Sequence, residues 1–269
     1  LRIAFVGGGN MARAIIIGLL AKGCPPADIT VVEMDRDRRY ALNQDFGINV
    51  AAELPAASLS DVIVLAVKPQ QLRDVAIFLG SLLSNQLVIS IAAGVRCSDL
   101  ARWLGNYGAV VRVMPNTPAQ VQAGVSALYA APATTPEQRH LAGQLMSAVG
   151  GVVWLEDEVQ MDAVTAVSGS GPAYVFYFLE AMQQAGVELG LSAEQVRVLA
   201  MQTFLGAAQL ALGSEHDFAT LRQQVTSKGG TTEQALLSME TNHVKDSIVQ
   251  ALHAAANRSR ELGDILGNQ

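Results

Sequence analysis

The sequence holds only two cysteines, Cys24 and Cys97, in 269 residues. They lie far apart and form no CxxC pair, which excludes a disulfide framework and a thiolate metal site. Aromatic residues make up 5% of the chain, so its helices must pack through small side chains rather than large rings. Charge is sparse as well: 16% of residues carry it, and the formal net charge is −6. No basic stripe is present, which argues against a nucleic-acid or acidic-membrane partner. The 4 histidines (His140, His216, His243 and His253) show no metal spacing, and each reads as a surface residue in a polar or helical stretch. No apolar run is long and uninterrupted enough to span a bilayer. Ile3-Ala4-Phe5-Val6 runs straight into glycines with no cleavage-site pattern, so the cytoplasm is the expected compartment. Lysine is also rare. Lys22, Lys68, Lys228 and Lys245 are the whole set, which makes each position informative.

Hydrophobic residues, by contrast, make up 50% of the chain, enough for a large core in one domain or two. In the first half, strand patterns alternate with helix patterns. Strands are expected at Ile3 to Val6, Ile29 to Glu33, up to Val50, Asp61 to Val67, Leu87 to Ile91, Ala109 to Val113, Ser126 to Tyr129 and Val152 to Leu155. Helices are expected between them, one starting at Pro69 and one at the capping box Thr135-Pro136-Glu137-Gln138. This alternation predicts a parallel, doubly wound α/β sheet. Beyond residue 158 only helical patterns remain, ending with Thr231 to Met239 and Thr241 to Leu262. The chain therefore divides into an α/β domain, 1–157, and an all-helical domain, 158–269, whose roles are read from the motifs they carry. The helix opened by the capping box at Ser192 is apolar on more than one stripe, so burial on several sides and self-association are expected.

Two glycine turns look built for anions. Gly7-Gly8-Gly9-Asn10-Met11-Ala12 fits G-x-G-x-x-A between a strand and a helix. Gly7 makes the turn, Gly9 admits a pyrophosphate, and Ala12 lets helix and strand pack closely. At the other end of the chain, Thr226-Ser227-Lys228-Gly229-Gly230-Thr231-Thr232 precedes a helical run. Helix starts present unpaired N–H groups and the positive end of the dipole. A plainer reading has Gly229-Gly230 ending one helix and Thr231 capping the next. A cofactor phosphate at the first turn and a substrate carboxylate at the second is the reading with chemistry in it. At the end of the second strand, Glu33 lies 24 residues past Gly9 and suits a ribose 2′-hydroxyl, as in NAD(H). Arg36, Arg38 and Arg39 suit a 2′-phosphate, as in NADP(H). The two signals oppose, and both cofactors stay open.

Four further segments follow in order: Ala66-Val67-Lys68-Pro69, Met114-Pro115-Asn116-Thr117-Pro118, Ser168-Gly169-Ser170-Gly171-Pro172-Ala173-Tyr174, and Ser227 to Thr232. As an ordered set with the cofactor turn, they resemble the pyrroline-5-carboxylate reductases over nearly the whole chain. The resemblance implies a Rossmann domain, an intertwined helical dimer that often builds decamers, and reduction of 1-pyrroline-5-carboxylate to L-proline by NAD(P)H. It places Lys68, Pro69, Met114, Asn116 and Thr117 on the nicotinamide side. Ala66, Val67, Pro115 and the Ala92-Ala93-Gly94 turn complete the cofactor set, together with Gly7 to Ala12, Glu33 and Arg36. It gives Ser227, Lys228, Gly229, Gly230, Thr231 and Thr232 to the substrate. The catalytic residues expected are Thr232, with its hydroxyl near the ring nitrogen, and Lys68. No metal is implied. The chain departs from the family in having Lys228 where proline is usual, and in lacking a Ser- or Asn-rich phosphate turn after the second strand. A related two-domain class, the β-hydroxyacid dehydrogenases, needs a lysine on a long interdomain helix, and none lies between Lys68 and Lys228.

Overall fold

Short runs of Val, Ile, Leu and Phe form the strands Ile3–Val6 (β1), Ile29–Val32 (β2), Asn49–Ala51 (β3), Val62–Leu65 (β4) and Leu87–Ser90 (β5). Val110–Met114 (β6), Gly124–Ala130 (β7) and Gly150–Trp154 (β8) follow. In the computed structural model, which describes residues 1–268, they form one 8-stranded sheet in the order β3-β2-β1-β4-β5-β6-β7-β8. The chain winds outward from β1 in one direction through β2 and β3, and in the other through β4, β5 and β6. The carboxyl ends of β1 and β4 therefore flank the topological switch, where open α/β sheets bind ligands.

Helices cover both faces, which is why β1, β4 and β5 are buried at every position. Asn10–Ala21 (α1), Arg36–Phe46 (α2) and Pro136–Met146 (α5) pack on the face of Ile3 and Phe5. Pro69–Gly80 (α3) and Cys97–Trp103 (α4) pack on the face of Ala4 and Val6. Glycines permit the closest approaches: a Cβ on Gly18 of α1 would lie 2.4 Å from the Ala148 carbonyl oxygen.

The expected all-parallel sheet is corrected at β7, which runs antiparallel to β6, with β8 parallel to β7. A parallel return needs a crossover of about a dozen residues or more. The link from Met114 to Gly124 holds only a 3₁₀ turn, Thr117–Val121, so the chain must double back.

The remaining helices are Gln160–Val164 (α6), Gly171–Glu188 (α7), Ala193–Leu212 (α8), Phe218–Gln224 (α9), Thr231–Thr241 (α10) and Val244–Gly267 (α11). A π-helical turn, Thr165–Gly169, follows α6. By packing, the chain forms two units. The first is Leu1–Ser170 with the chain from Ala254 onward, and the second is Gly171–His253. The end of α11 thus belongs to the sheet's unit, where Leu266 enters the α3–α4 face of the core.

Within the second unit, α7 and α8 are held by an edge-to-face pair, Phe178–Phe204, with centroids 5.9 Å apart. Gly186 lets α7 close onto Val196 of α8, where a Cβ would lie 2.5 Å from a Val196 methyl. Only Val196 and Ala200 of α8 are buried, while Leu199, Leu205, Leu210 and Leu212 are exposed. Burial of α8 on several sides is therefore not met within one chain, because α7 covers one stripe and nothing among the described residues covers the exposed leucines.

Candidate functional site

The fold brings the first set of predicted residues to one edge of the sheet. Gly7 to Ala12 follow β1, Glu33 and Arg36 follow β2, and Ala66 to Pro69 follow β4. Ala92 to Gly94 follow β5, and Met114 to Thr117 end β6. All lie at the carboxyl ends of neighbouring parallel strands. Ser227 to Thr232 lie in the second unit, in the loop between α9 and α10.

Each glycine of the first turn has its own reason. Gly7 has φ +101°, and a Cβ there would sit 2.8 Å from the Ala66 carbonyl oxygen, so this residue must be glycine. Gly8 is closed in by Leu42 and the Glu33 carboxylate. Gly9 caps α1 with extended backbone and no side-chain hydrogen bond, and no atom lies within 4 Å of a Cβ placed on it. The first turn of α1 also carries no acidic residue. The helix start is therefore open, and its N–H groups suit a pyrophosphate.

Side-chain caps sort the helix starts only in part, since α4 at Arg96 and α6 at Val159 lack one without carrying a predicted site residue. Asp35, Thr135, Ser192 and Asp217 each cap their helices with a side-chain oxygen. The starts of α1 at Gly9, α3 at Lys68 and α10 at Gly230 have no such cap. These three starts carry predicted site residues. Lys68 is exposed, with Pro69 in the first turn behind it.

Glu33 is more than a ribose partner. It accepts hydrogen bonds from the Gly8 N–H at 3.0 Å, the Asp35 N–H at 3.0 Å and Arg38 Nη1 at 3.0 Å. Burial alone pushes its carboxyl upward, but the Asp35, Gly8 and Arg38 donors outweigh it and hold the group below its ordinary range. Arg39 is likewise committed, donating to the carbonyls of Glu33 and Met34. Arg36 is exposed and makes no ion pair among the described residues, so it is the arginine here free to meet a phosphate.

Asn116 acts as a brace. Its Oδ1 accepts from the Val125 N–H at 2.9 Å, and its Nδ2 donates to the Ser168 carbonyl at 3.2 Å. Gly169 completes the joint, since a Cβ there would lie 2.4 Å from Met114 Cε. Two motifs some 50 residues apart in sequence therefore meet as one packed unit.

In the α9–α10 loop, Gly229 has φ +74°. Its N–H already donates to Glu233 Oε2 at 2.7 Å, and the Gly230 N–H donates to the Ser227 carbonyl at 3.1 Å. Gly230, not Thr231, is the capping position of α10, so Thr231 and Thr232 open the helix with N–H groups that have no partner among the described residues. Lys228 is exposed and unpaired among the described residues, and nothing in the structure explains its replacement of proline.

Sequence reasoning missed a part-buried ion pair on β6. Arg112 Nη1 of β6 donates to Glu158 Oε1 at 2.8 Å, and the same oxygen accepts the Cys97 N–H at 2.8 Å. Glu158 thereby supplies the cap that α4 lacks locally. The signal was an arginine inside the apolar run Val110-Val111-Arg112-Val113-Met114. Burial pushes the adjacent Cys97 thiol up to about 12. No group of three or more His, Cys, Asp or Glu among the described residues is arranged to hold a metal. None of the described helices is long and apolar enough to cross a membrane.

A doubly wound sheet with an open glycine turn at its switch point defines a dinucleotide-dependent oxidoreductase of the Rossmann class. Comparison with known proteins supports this. Residues 2–94 match the family described as NADP oxidoreductase, coenzyme F420-dependent, and residues 158–262 match pyrroline-5-carboxylate reductase dimerisation. The chain is 49% identical to a pyrroline-5-carboxylate reductase of Pseudomonas aeruginosa over 99% of its own length and 98% of that protein's. A solved pyrroline-5-carboxylate reductase of Coxiella burnetii superposes with TM-score 0.91 at 43% identity, covering 97% of this chain and 98% of that one. The pyrroline carboxylate reductase of Plasmodium falciparum, solved with NADP bound, gives 0.88 at 28% identity and covers 98% of each chain. The chain belongs to the pyrroline-5-carboxylate reductase family.

Proposed function

We infer that this chain reduces 1-pyrroline-5-carboxylate to L-proline by hydride transfer from NAD(P)H, the last step of proline biosynthesis. The observation that carries the reading is the open helix start at Gly9, with N–H groups on Thr231 and Thr232 at the start of α10 that have no partner among the described residues, on a chain of this family. The residues fit a dinucleotide, because the open Gly9 turn leaves room for a phosphate against backbone N–H groups. The bound nicotinamide supplies the hydride, and the rest of the work falls to the chain.

Gly7 to Ala12 hold the pyrophosphate. Glu33 braces the turn from behind, and Arg36 meets the adenosine side, compatible with either cofactor. Ala66, Val67, Lys68, Pro69, Ala92, Ala93, Gly94, Met114, Pro115 and Thr117 wall the cofactor, while Asn116 acts by fixing the turn that carries Thr117. With the Gly229 and Gly230 N–H groups engaged inside the loop, the substrate carboxylate falls to the N–H groups of Thr231 and Thr232. Ser227 and Lys228 frame that loop, and the Thr232 hydroxyl orients the ring nitrogen. A protonated cyclic imine is already electrophilic, so no strong acid is needed and positioning carries most of the catalysis. Lys68 is the only lysine beside the first set of strand ends, and it assists there by charge.

By role, residues 1–157 bind the dinucleotide, and 158–269 bind substrate and drive self-association. The exposed leucines of α8 are the surface for a homodimer, from which a decamer can be built. The cytoplasm suits such an enzyme.

The test follows oxidation of NADH and NADPH by the purified chain with 1-pyrroline-5-carboxylate, and with a 3-hydroxyacid/oxoacid pair as the alternative. Proline must appear as cofactor is consumed. Activity with the second pair alone would overturn the reading. Thr232→Ala is expected to lower kcat about 10²-fold without changing cofactor affinity, and intact turnover would remove the role given to Thr232.

A further inference from the structure

The end of α11 lies against the turn that follows β5. Gly94 in that turn has φ +81°, and a Cβ there would meet Leu266 Cδ1 at 3.3 Å and the Gly263 nitrogen at 3.7 Å. From the helix side, a Cβ on Gly263 would lie 3.1 Å from the Gly94 carbonyl oxygen and 3.2 Å from Arg96 Nη2. Two glycines thus face one another: a side chain on Gly263 would press on the Gly94 carbonyl and Arg96, and one on Gly94 would press on Leu266.

Polar contacts hold the two surfaces in register. Arg96 Nη2 donates to Asp264 Oδ1 at 2.6 Å, and Arg102 Nη2 donates to the Gly267 carbonyl at 2.6 Å. One turn earlier, the buried Ser259 hydroxyl donates to Asp162 of α6 at 2.6 Å. Leu266 is buried beside Val95, Cys97 and Leu100. The opposite end of the turn is pinned by Glu158 at the Cys97 N–H. The segment from Ala92 to Arg96 is therefore fixed at one end by the Arg112–Glu158 pair and along its side by α11. Surface ion pairs add little stability on their own. Arg96–Asp264 is exposed, so its value lies in where it holds Arg96 rather than in how strongly.

We propose that the last turns of α11, through Gly263 and Asp264, set the conformation of the β5–α4 turn and so the fit of NAD(P)H. Both are positioning residues, acting through Ala92, Ala93 and Gly94. The proposal rests on the placement of those three residues at the cofactor. It also gives the glycine in α11 a purpose, since glycine inside a helix is otherwise unfavourable. Because α11 starts in the helical unit and ends on this turn, one continuous helix carries both the dimerisation sequence and the support for the cofactor turn.

The test measures cofactor binding directly, by titrating the full-length protein with NADH and NADPH and following quenching of its fluorescence, with no imine present. Thermal midpoints and separate KM values for cofactor and imine are measured alongside. Gly263→Val is expected to weaken cofactor binding about tenfold, and Asp264→Asn about threefold, with Asp264→Glu restoring most of the loss. The KM for the imine should stay unchanged. If Gly263→Val does not fold, Asp264→Asn decides alone, since the residue is on the surface. A lowered midpoint with unchanged cofactor affinity in either variant would overturn the proposal and leave α11 a structural prop. Ala93→Arg separates the two readings. If it leaves cofactor affinity unchanged, the turn does not face the cofactor and the site assignment itself fails. The titration stands whether or not the protein turns over the imine.

Discussion

Replacing Glu158 by alanine should destabilise the fold severely. Glu158 Oε1 takes two donors at once, Arg112 Nη1 and the Cys97 N–H, each at 2.8 Å. The side chain of Arg112 is only 7% exposed, against 20% for Glu158. Removing the acid leaves a guanidinium buried with no counter-charge, which costs about 3–5 kcal/mol. Losing the cap of α4 adds about 1 kcal/mol. Against a total stability of roughly 5–15 kcal/mol, that is a large fraction. Arg112→Met should cost less, because the remaining carboxylate reaches some solvent and keeps the Cys97 N–H. The double variant should be more stable than the sum of the single losses, because neither charge is then stranded. The assay is urea unfolding followed by circular dichroism at neutral pH, at one fixed protomer concentration because self-association shifts the midpoint. A loss below about 1 kcal/mol for Glu158→Ala, or strictly additive single losses, would refute the argument that a desolvated pair holds β6 to α4.

Two other outcomes follow from perturbed groups. The Glu33 carboxyl is lowered in the folded chain, so its contribution is full above the ordinary carboxylate value of about 4.3 and is lost as pH falls through its folded value. Acid unfolding of Glu33→Gln should therefore be less steep below that value, and cofactor binding weaker at neutral pH; identical acid transitions would remove the bracing role. With its thiol pushed up to about 12, Cys97 should resist a thiol reagent in the native protein at pH 8 and react fully only in denaturant. Rapid labelling of Cys97 in folded protein, located by peptide mass, would contradict its burial.

Much of the fold was legible because its signals are local. Thr135 and Ser192 mark helix starts by their own side chains, and β1, β4 and β5 are short apolar runs bounded by turns. The glycine turn after β1 was legible for a similar reason, since Gly7 and Gly9 answer to backbone geometry within one strand–turn–helix unit. What escaped depends on distance. The reversal at β7 follows from the length of a link, and no periodicity records strand direction. The start of the last helix moved from Thr241 to Val244 because α10 runs on to Thr241 and His243 then takes a left-handed conformation, φ +54°, which non-glycine residues rarely signal in advance. The π-helical turn at Thr165–Gly169 brings Ser168 under Asn116, a match between two segments that neither predicts alone.

The site divides along the same line. Residues assigned from motifs fall at the sheet edge or in the α10 loop, but several do a different job from the one their identity suggests. Glu33 and Asn116 look like ligand contacts in sequence, and in the structure each spends its polar atoms on backbone groups. Gly229 looks like a donor to substrate and instead donates to Glu233. A motif records that a residue type is needed, and it does not distinguish holding a ligand from holding the turn that holds it. The open N–H groups lie on Thr231 and Thr232 rather than on the glycines before them, and on the proposed reading they are the ones that take the ligand. Gly229 alone supplies the left-handed turn before this helix start, so a side chain there should alter the direction of the proposed clamp before it alters its chemistry.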